Sequence, residues 1–341
     1  MSDHLDTTTA EAASRPATTA GPGRRGPVLE VFGTLALGVV AFLFVGDSPF
    51  RQDLAVLTAT YALLALGMYI PFIMSGGLSL AYNAYLGAGA YAVAIVGTRT
   101  EMSTVLAIPI GMAVSATIAV ILGLATRRLS GFYLAGVTLL FGLAFETFLS
   151  DADPITGGAA GIPGIPQTEV FGVILTRPTI VAISILSVWV FGVLLSRLRR
   201  SPYGVAVRAK RKVPEAVEAS GISVPLLVLV ALGLGAGVAS IGGSLYAMMN
   251  GQILPETFTL SVVFLAVFMP LLGGRQSPWG AVLGAVLVVI FTFGLTLFRS
   301  TGSLVFAVAV LLVLRLAPNG LLGFVTALAG RLSRRMSGAS L

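Results

Sequence analysis

Apolar residues form ten runs along the chain, separated by short stretches that carry most of the charged residues. Most runs approach or exceed the roughly 18 residues that a helix needs to cross a hydrocarbon core about 30 Å thick. The runs are residues 28–46, 54–74, 78–97, 104–125, 132–149, 178–197, 225–249, 260–274, 278–298 and 302–317. This pattern predicts an all-α, polytopic integral membrane protein with about ten transmembrane helices.

The segments outside these runs define two tails. Residues 1–27 are rich in Ala, Thr, Ser, Gly and Pro and contain no apolar run, which predicts a disordered tail. Residues 28–325 form the predicted transmembrane domain. Residues 326–341 form a basic tail.

Composition supports a membrane protein and excludes several kinds of chemistry. Of the 341 residues, 56% are hydrophobic and 10% are charged, against roughly 25% charged in an average soluble domain. Cysteine is absent, and the single histidine, His4, lies in the polar tail. Disulfides, thiol nucleophiles and Cys- or His-based metal sites are therefore excluded, and we predict no catalytic and no metal-binding residue.

Basic residues are distributed unevenly between the two sides of the predicted spans. If the N-terminus lies inside, all but four of the 21 Lys and Arg residues fall on inner segments. The four on outer segments are Arg51, Arg99, Arg177 and Arg299. Because cytoplasmic loops are enriched in Lys and Arg, the distribution predicts that both termini are cytoplasmic. It also explains the net charge of +7 without a nucleic acid partner.

Nucleotide-binding and catalytic motifs are missing from the chain. It has no G-x-x-x-x-G-K-[ST] phosphate loop, no H-E-x-x-H and no G-x-S-x-G. We therefore predict that the chain is not an enzyme and has no ATPase site or cofactor of its own. Glu146 is the ionisable candidate for function inside a predicted span; it either belongs to a translocation path or extends its carboxylate to the nearby interface.

Glycine is abundant within the apolar runs, for example across residues 233–243 and at Gly280 and Gly284. Small residues let helices approach closely in lipid, so these positions predict tight helix packing. Residues 71–79, P-F-I-M-S-G-G-L-S, differ because proline and polar residues accompany the glycines. They predict either a re-entrant break, where freed backbone N–H groups bind an anion, or a tight turn between two spans.

The polar groups around this segment are the candidate substrate path, because each needs a partner away from lipid. The predicted path residues are Ser75, Gly76, Gly77, Ser79, Asn83, Tyr85 and Glu146.

The inner segment 198–224 contains the sequence pattern of a short capped helix. Pro214 suits the first helical position, Glu215 the electropositive first turn, and Gly221 the C-terminal stop. Such a helix would insert into a partner's groove, and the alternative is a solvated connecting loop. The residues predicted to couple to that partner are Glu215, Ala216, Glu218, Ala219 and Gly221.

Several segments resemble the LivM-type permease subunits of branched-chain amino acid ABC importers, over about residues 55–325. The similar segments are Y-A-L-L-A-L-G (61–67), G-G-L-S-L-A-Y-N-A-Y-L-G-A-G-A-Y (76–91), T-G-G-A-A-G-I-P-G-I-P (156–166), S-P-Y-G (201–204), E-A-V-E-A-S-G-I (215–222) and P-N-G-L-L-G (318–323). Each motif alone is weak, but together they occur in the family's order.

The resemblance implies a permease subunit of a bacterial-type cytoplasmic (inner) membrane, importing branched-chain or related amino acids. Its implied partners are a second, LivH-like permease subunit, two cytoplasmic ATPases that bind the ATP, and an extracytoplasmic substrate-binding protein. The inner segment with residues 215–222 is similar to the loop through which ABC permeases dock on their ATPases.

Three departures from the family pattern bear on the substrate. Gly77 replaces the family's glutamine, Leu143 stands at an acidic position, and Gln276 stands where glycine is usual. Glu146, three residues beyond Leu143, could substitute for the missing acid. Urea and short amides therefore stay open as substrates, and an ion-coupled secondary transporter is the alternative from another class.

Overall fold

The computed structural model describes residues 26–100, 102–129, 131–170, 172–294, 315 and 320–323. Most of the predicted tail 1–27, the predicted span 302–317 and the basic tail 326–341 lie outside these residues.

The described chain is almost entirely helical. Its helices are α1 (Gly26–Val45), α2 (Pro49–Met68), α3 (Tyr82–Arg99), α4 (Ala107–Ala125), α5 (Gly131–Asp151), α6 (Asp153–Thr156), α7 (Arg177–Arg200), α8 (Pro202–Lys210), α9 (Pro214–Ala219), α10 (Val224–Asn250), α11 (Leu260–Gly273) and α12 (Pro278–Val289). Wider π-helical turns continue α2 through Tyr69–Met74 and α12 through Ile290–Gly294. Short 3-10 turns occupy Thr104–Leu106, Gly158–Ala160 and Pro255–Phe258.

Proline marks where many of these helices begin. It occupies one of the first two positions of α2, α7, α8, α9, α10 and α12. At those positions the missing N–H has no intrahelical acceptor to lose, and the fixed φ is already helical. The apolar runs therefore become helices whose starts are set by local sequence.

Helices long enough to cross a membrane match the predicted spans closely. Within the described ranges, six are long and apolar enough for this role: Pro49–Met74, Thr104–Ala125, Gly131–Asp151, Arg177–Arg200, Val224–Asn250 and Pro255–Gly273. Residues 31–45 and 278–292 form shorter apolar helices. The polytopic, all-α class is confirmed, while the number of ten spans stays a prediction.

One predicted boundary is wrong. The run 78–97 does not begin as a helix, since residues 76–81 are not helical and α3 starts only at Tyr82. Residues 79–81 are buried in a segment without regular structure and not in a helical turn.

Helix α10 is the centre of the fold and packs against α2, α3 and α4. Its contacts are so close that backbone touches backbone. A Cβ atom on Gly67 would lie 2.3 Å from the carbonyl oxygen of Gly235, and one on Gly243 would lie 1.9 Å from that of Leu86. Helices α2 and α3 can approach α10 this closely only through glycine, as predicted for small residues in a membrane interior.

The same kind of contact joins α11 to α12. A Cβ on Gly284 would lie 1.9 Å from the carbonyl oxygen of Met269, and one on Gly273 would lie 1.7 Å from that of Gly280. The predicted packing role of Gly280 and Gly284 is confirmed.

The segment between α5 and α7 folds back on neighbouring helix ends. Within it, two antiparallel strands of two residues each, β1 (Glu169–Val170) and β2 (Val173–Ile174), form a hairpin. An antiparallel bridge joins Ile162 to Ile253 after α10, and Arg99 at the end of α3 donates to the carbonyls of Pro154 and Ile155. These contacts tie the ends of α3, α5 and α10 together.

Candidate functional site

The break predicted near Pro71 is present and begins as a change of helix type. Pro71 cannot donate to the carbonyl of Gly67 one turn earlier, and the Tyr82 hydroxyl donates to that carbonyl at 3.1 Å. The chain continues as a π-helical turn to Met74 and then leaves the helix at Ser75. Proline therefore marks the place where the regular α-helical hydrogen bonding of α2 stops.

Beyond Ser75 the chain runs outside any helix to Ala81. Gly76 has φ +78°, a conformation that side chains with a Cβ disfavour. The N–H of Gly77 folds back to the carbonyl of Pro71 at 2.9 Å, and the N–H of Leu80 donates to Thr138 Oγ1 of α5 at 2.8 Å. The segment is fixed at both ends and is neither a simple tight turn nor a continued helix.

Two oxygens beside this segment are buried without partners. Asn83 donates from Nδ2 to the carbonyls of Gly142 (2.9 Å) and Phe258 (3.1 Å), whereas its Oδ1 has no hydrogen-bond partner in the described part of the chain. The Ser79 hydroxyl, close to that of Tyr85, also lacks a described partner with hydrogen-bond geometry. An unpartnered buried polar group costs about 1–3 kcal/mol. A bound polar group would recover that cost.

The structure brings most of the predicted path residues together and leaves one apart. Ser75, Ser79 and Asn83 are buried, and Tyr85 packs edge-on against Tyr82 with ring centroids 5.2 Å apart. Glu146 lies one turn along α5 from the carbonyl that Asn83 contacts. It is partly exposed, and no described contact joins its carboxylate to residues 75–79.

Basic residues at the end of α8 reach the same segment, which the sequence did not indicate. Arg211 Nη1 donates to the carbonyl of Ile73 at 2.9 Å. Lys210 Nζ lies 3.4 Å from the carbonyl oxygen and 3.5 Å from Oγ of Ser75. Burial lowers the pKa of Lys210. The only signal in the sequence was a basic run beside a predicted short helix, which is equally typical of a cytoplasmic loop.

Thr138 is a further residue that sequence reasoning missed. Its hydroxyl donates to the carbonyls of Leu134 and Ala135 within α5 and accepts from the N–H of Leu80. A threonine buried in an apolar run was the available signal, because its hydroxyl must find a partner away from lipid.

The predicted short helix exists as α9, Pro214–Ala219. Gly221 ends it with φ +81°, and its N–H donates to the carbonyl of Glu218 at 2.9 Å. Val217 is the buried residue of this helix, whereas Glu215 and Glu218 are exposed. Ala216 and Ala219 are exposed as well. The helix therefore presents a small, acidic face that the described residues leave uncovered.

Helix α8, which precedes α9, is held more firmly. Ser201 caps it by accepting from the N–H of Gly204, and Val207 is fully buried. The Tyr203 hydroxyl donates to the carbonyl of Leu227 in α10 at 3.0 Å. Burial raises the pKa of Tyr203 to about 12, so this hydroxyl keeps its proton at neutral pH.

Acidic and histidine side chains do not gather in the described part of the chain: no three of them lie close enough to hold a metal ion. The site is therefore built from backbone groups, hydroxyls and one carboxamide, with two cations at its edge. Such groups have the donors and acceptors that a polar ligand needs.

Comparison with known proteins identifies the family. A family model described as the permease component of branched-chain amino acid transport systems matches residues 51–315. The chain belongs to this family. The matched range includes the break, helices α8 and α9 and the central helix α10. The chain is therefore a multi-pass membrane permease component.

Three relatives support this assignment. The permease is 30% identical over 294 residues to the high-affinity branched-chain amino acid transport system permease protein LivM of Salmonella typhimurium, covering 79% of this chain and 69% of the relative. It is 29% identical to LivM of Escherichia coli over the same shares. A probable LivM of Methanocaldococcus jannaschii is 28% identical over 37% of this chain and 41% of its own length. No solved structure matches the permease.

Proposed function

We propose that this permease imports small apolar amino acids, leucine, isoleucine and valine foremost, as part of an ABC importer. The membership of residues 51–315 in the branched-chain amino acid permease family carries this proposal. The high-affinity relatives of Salmonella and Escherichia are named for the same substrates. Urea and short amides are the competing substrates in the test below.

The proposed path runs along residues 75–83, where the permease has buried polar atoms in an otherwise apolar interior. A zwitterion needs donors for its carboxylate and acceptors for its ammonium group. Backbone N–H groups near Gly76 would serve the carboxylate, and Asn83 Oδ1 would accept from the ammonium group. The unpartnered state of that oxygen supports the assignment.

The proposed energy source is a pair of cytoplasmic ATPases, which bind ATP outside this chain. Helix α9 is the proposed docking element, because its exposed acidic and small residues can enter a groove on a partner. A second, LivH-like permease subunit and an extracytoplasmic substrate-binding protein complete the proposed complex. We place both termini in the cytoplasm from the distribution of basic residues.

Uptake by the reconstituted complex tests the substrate. The permease, its second permease subunit, the ATPases and the binding protein are incorporated in proteoliposomes with ATP inside, and radiolabelled leucine, isoleucine, valine and urea are compared. Uptake of the three amino acids that requires ATP supports the proposal. Urea uptake without amino acid uptake contradicts the substrate, and uptake driven by an ion gradient alone contradicts the ABC mechanism.

Labelling of an introduced thiol tests the orientation. The chain has no cysteine, so Glu218→Cys provides a single exposed thiol on α9. We expect an impermeant maleimide to modify it in inside-out vesicles and not in intact cells. Modification in intact cells would place α9 outside and refute the proposed topology.

A further inference from the structure

The segment proposed to dock on the ATPases and the proposed substrate path are in direct contact within this chain. Lys210 and Arg211 lie at the end of α8, and Pro214 begins the proposed docking helix α9 three residues later. Both cationic side chains reach back to the residues that open the break, Ile73 and Ser75. A segment proposed to contact the ATPases therefore also touches the proposed substrate path.

The two cations contact the C-terminal end of the helix that begins as α2 and continues to Met74. The last carbonyl groups of a helix have no intrahelical donor and carry partial negative charge. At this end the N–H of Ser75 bonds to Ile70 and that of Gly77 to Pro71. The carbonyl of Ile73 accepts a hydrogen bond from Arg211, and that of Ser75 accepts one from Lys210. The cations thus complete the capping of the broken helix with charge of the favourable sign.

The stem of Arg211 also fills the space beside the break. A Cβ atom on Gly76 would lie 2.9 Å from Cγ of Arg211 and 3.2 Å from Cδ. Any larger residue at position 76 would displace the arginine. Gly76 therefore meets two requirements, a positive φ and room for a cation that comes from a distant part of the sequence.

The segment that carries the cations lies between an anchored helix and a loosely held one. Helix α8 is fixed by Tyr203, which bonds to α10, and by the fully buried Val207. Helix α9 has Val217 as its buried residue. A displacement of α9 would be absorbed by residues 210–213, which is where the two cations lie.

We propose that Lys210 and Arg211 form a cationic latch that closes the inner end of the substrate path at Ser75 and Gly76, and that movement of α9 releases it. The latch rests on the proposed function, since it assigns the device that connects α9 to the path. Lys210 and Arg211 are positioning residues: they act by holding the residues 73–76 in place. The latch then links opening of the path to the state of the ATPases.

Accessibility of a single thiol in the break measures the latch. Ser79 is 2% exposed, so a cysteine at this position reacts only when the path opens. The complete complex with Ser79→Cys is placed in lipid nanodiscs, where both faces are open to reagent, and the rate of maleimide modification of this chain is measured with and without ATP. In the parent, we expect the rate to differ between the two nucleotide conditions.

Removing a latch cation should remove that difference. Arg211→Met removes a hydrogen bond from a charged group, whose strength is reduced by partial exposure. We therefore expect the rate of maleimide modification to rise about tenfold in the nucleotide condition where the parent reacts more slowly. Lys210→Met should act in the same direction, and Arg211→Lys should keep part of the protection. The matched control is Lys212→Met, an exposed neighbour that removes the same charge without a described contact to residues 73–76.

The outcomes separate the latch from the proposed function. If Arg211→Met and Lys210→Met are modified at the same rate as Lys212→Met, the latch is wrong even where the parent complex transports leucine. If the parent complex transports none of the three amino acids, the proposed substrate is wrong, and the labelling rates still test the latch. Gly76→Ala guards against a folding artefact at position 211: its Cβ displaces the arginine stem, so it must raise the modification rate in the same way or the latch is refuted.

Discussion

Replacing Gly243 by alanine tests whether backbone contact between α3 and α10 holds the fold together. A Cβ at this position would lie 1.9 Å from the carbonyl oxygen of Leu86 and 3.1 Å from the N–H nitrogen of Ala90. Gly233, ten residues earlier on the same helix, is the matched control. A Cβ there would meet its nearest atom, Val120 Cγ2, at an ordinary 3.5 Å.

The magnitude follows from the missing space. Ordinary contact begins at 3.4 Å, so α3 and α10 must separate by about 1.5 Å to accept the methyl group, and such overpacking costs roughly 1–3 kcal/mol. Each glycine-to-alanine change in a helix also gains about 1 kcal/mol from backbone entropy. That gain is common to Gly243→Ala and Gly233→Ala, so their difference isolates the steric cost.

Thermal unfolding of the purified permease in detergent measures the difference. At an unfolding entropy of about 2.1 cal/mol/K per residue, the melting temperature of a 341-residue chain shifts by about 1.4 °C per kcal/mol, so Gly243→Ala should melt about 1–4 °C below Gly233→Ala. Gly233→Ala should equal or slightly exceed the parent. Equal melting temperatures for the two variants would show that α3 and α10 are not in backbone contact, and the packing described for the core would be wrong.

Three further substitutions test the site and the inner loop. Gly221→Val demands φ +81° from a β-branched residue, a strain of about 1–3 kcal/mol, although the space around the new side chain is open. Leucine uptake should fall while the amount of permease in the membrane stays unchanged. Normal uptake would show that α9 is a passive connector. Asn83→Ala leaves the carbonyls of Gly142 and Phe258 without their donor, so at about 1 kcal/mol per hydrogen bond it should lower the melting temperature and stop uptake. Tyr82→Phe removes one hydrogen bond, worth about 1 kcal/mol, and should lower the melting temperature by less than Asn83→Ala; the reverse order would contradict these assignments.

Local signals made the short helix α9 predictable from sequence. Pro214 and Gly221 specify its start and its stop by backbone geometry alone, and the observed bounds agree with the prediction to within one residue. The apolar runs were equally informative about the long helices. In each case the information lies within a few neighbouring residues.

The break was predictable in position and not in shape. Pro71, Gly76 and Gly77 indicated an interruption, but the sequence left both a re-entrant segment and a tight turn open. The irregular course to Ala81 depends on Thr138, which accepts from the N–H of Leu80. That partner is 58 residues away in sequence.

The contacts of Lys210 and Arg211 lay further beyond prediction. Their partners, Ser75 and Ile73, are 135 and 138 residues away, and a basic loop has a sufficient explanation in the distribution of charge across the membrane. For Glu146 the sequence suggested a role that its observed position does not support. A lone carboxylate in an apolar run favours a functional interpretation, but its partial exposure depends on which face of α5 packs inward.

The glycine contacts of α10 limit how this permease can change shape. Helices joined through their main chains cannot roll or slide past one another without collision, because no side chain lies between them to change rotamer. Helices α2, α3 and α10 should therefore travel as one unit, whereas α7, whose apolar stretch is only 28% buried, is held by side chains such as Ile180 and Val181 and can move against that unit. Spin labels on α3 and α10 would then report one constant separation throughout the transport cycle, and those on α7 and α10 a changing one.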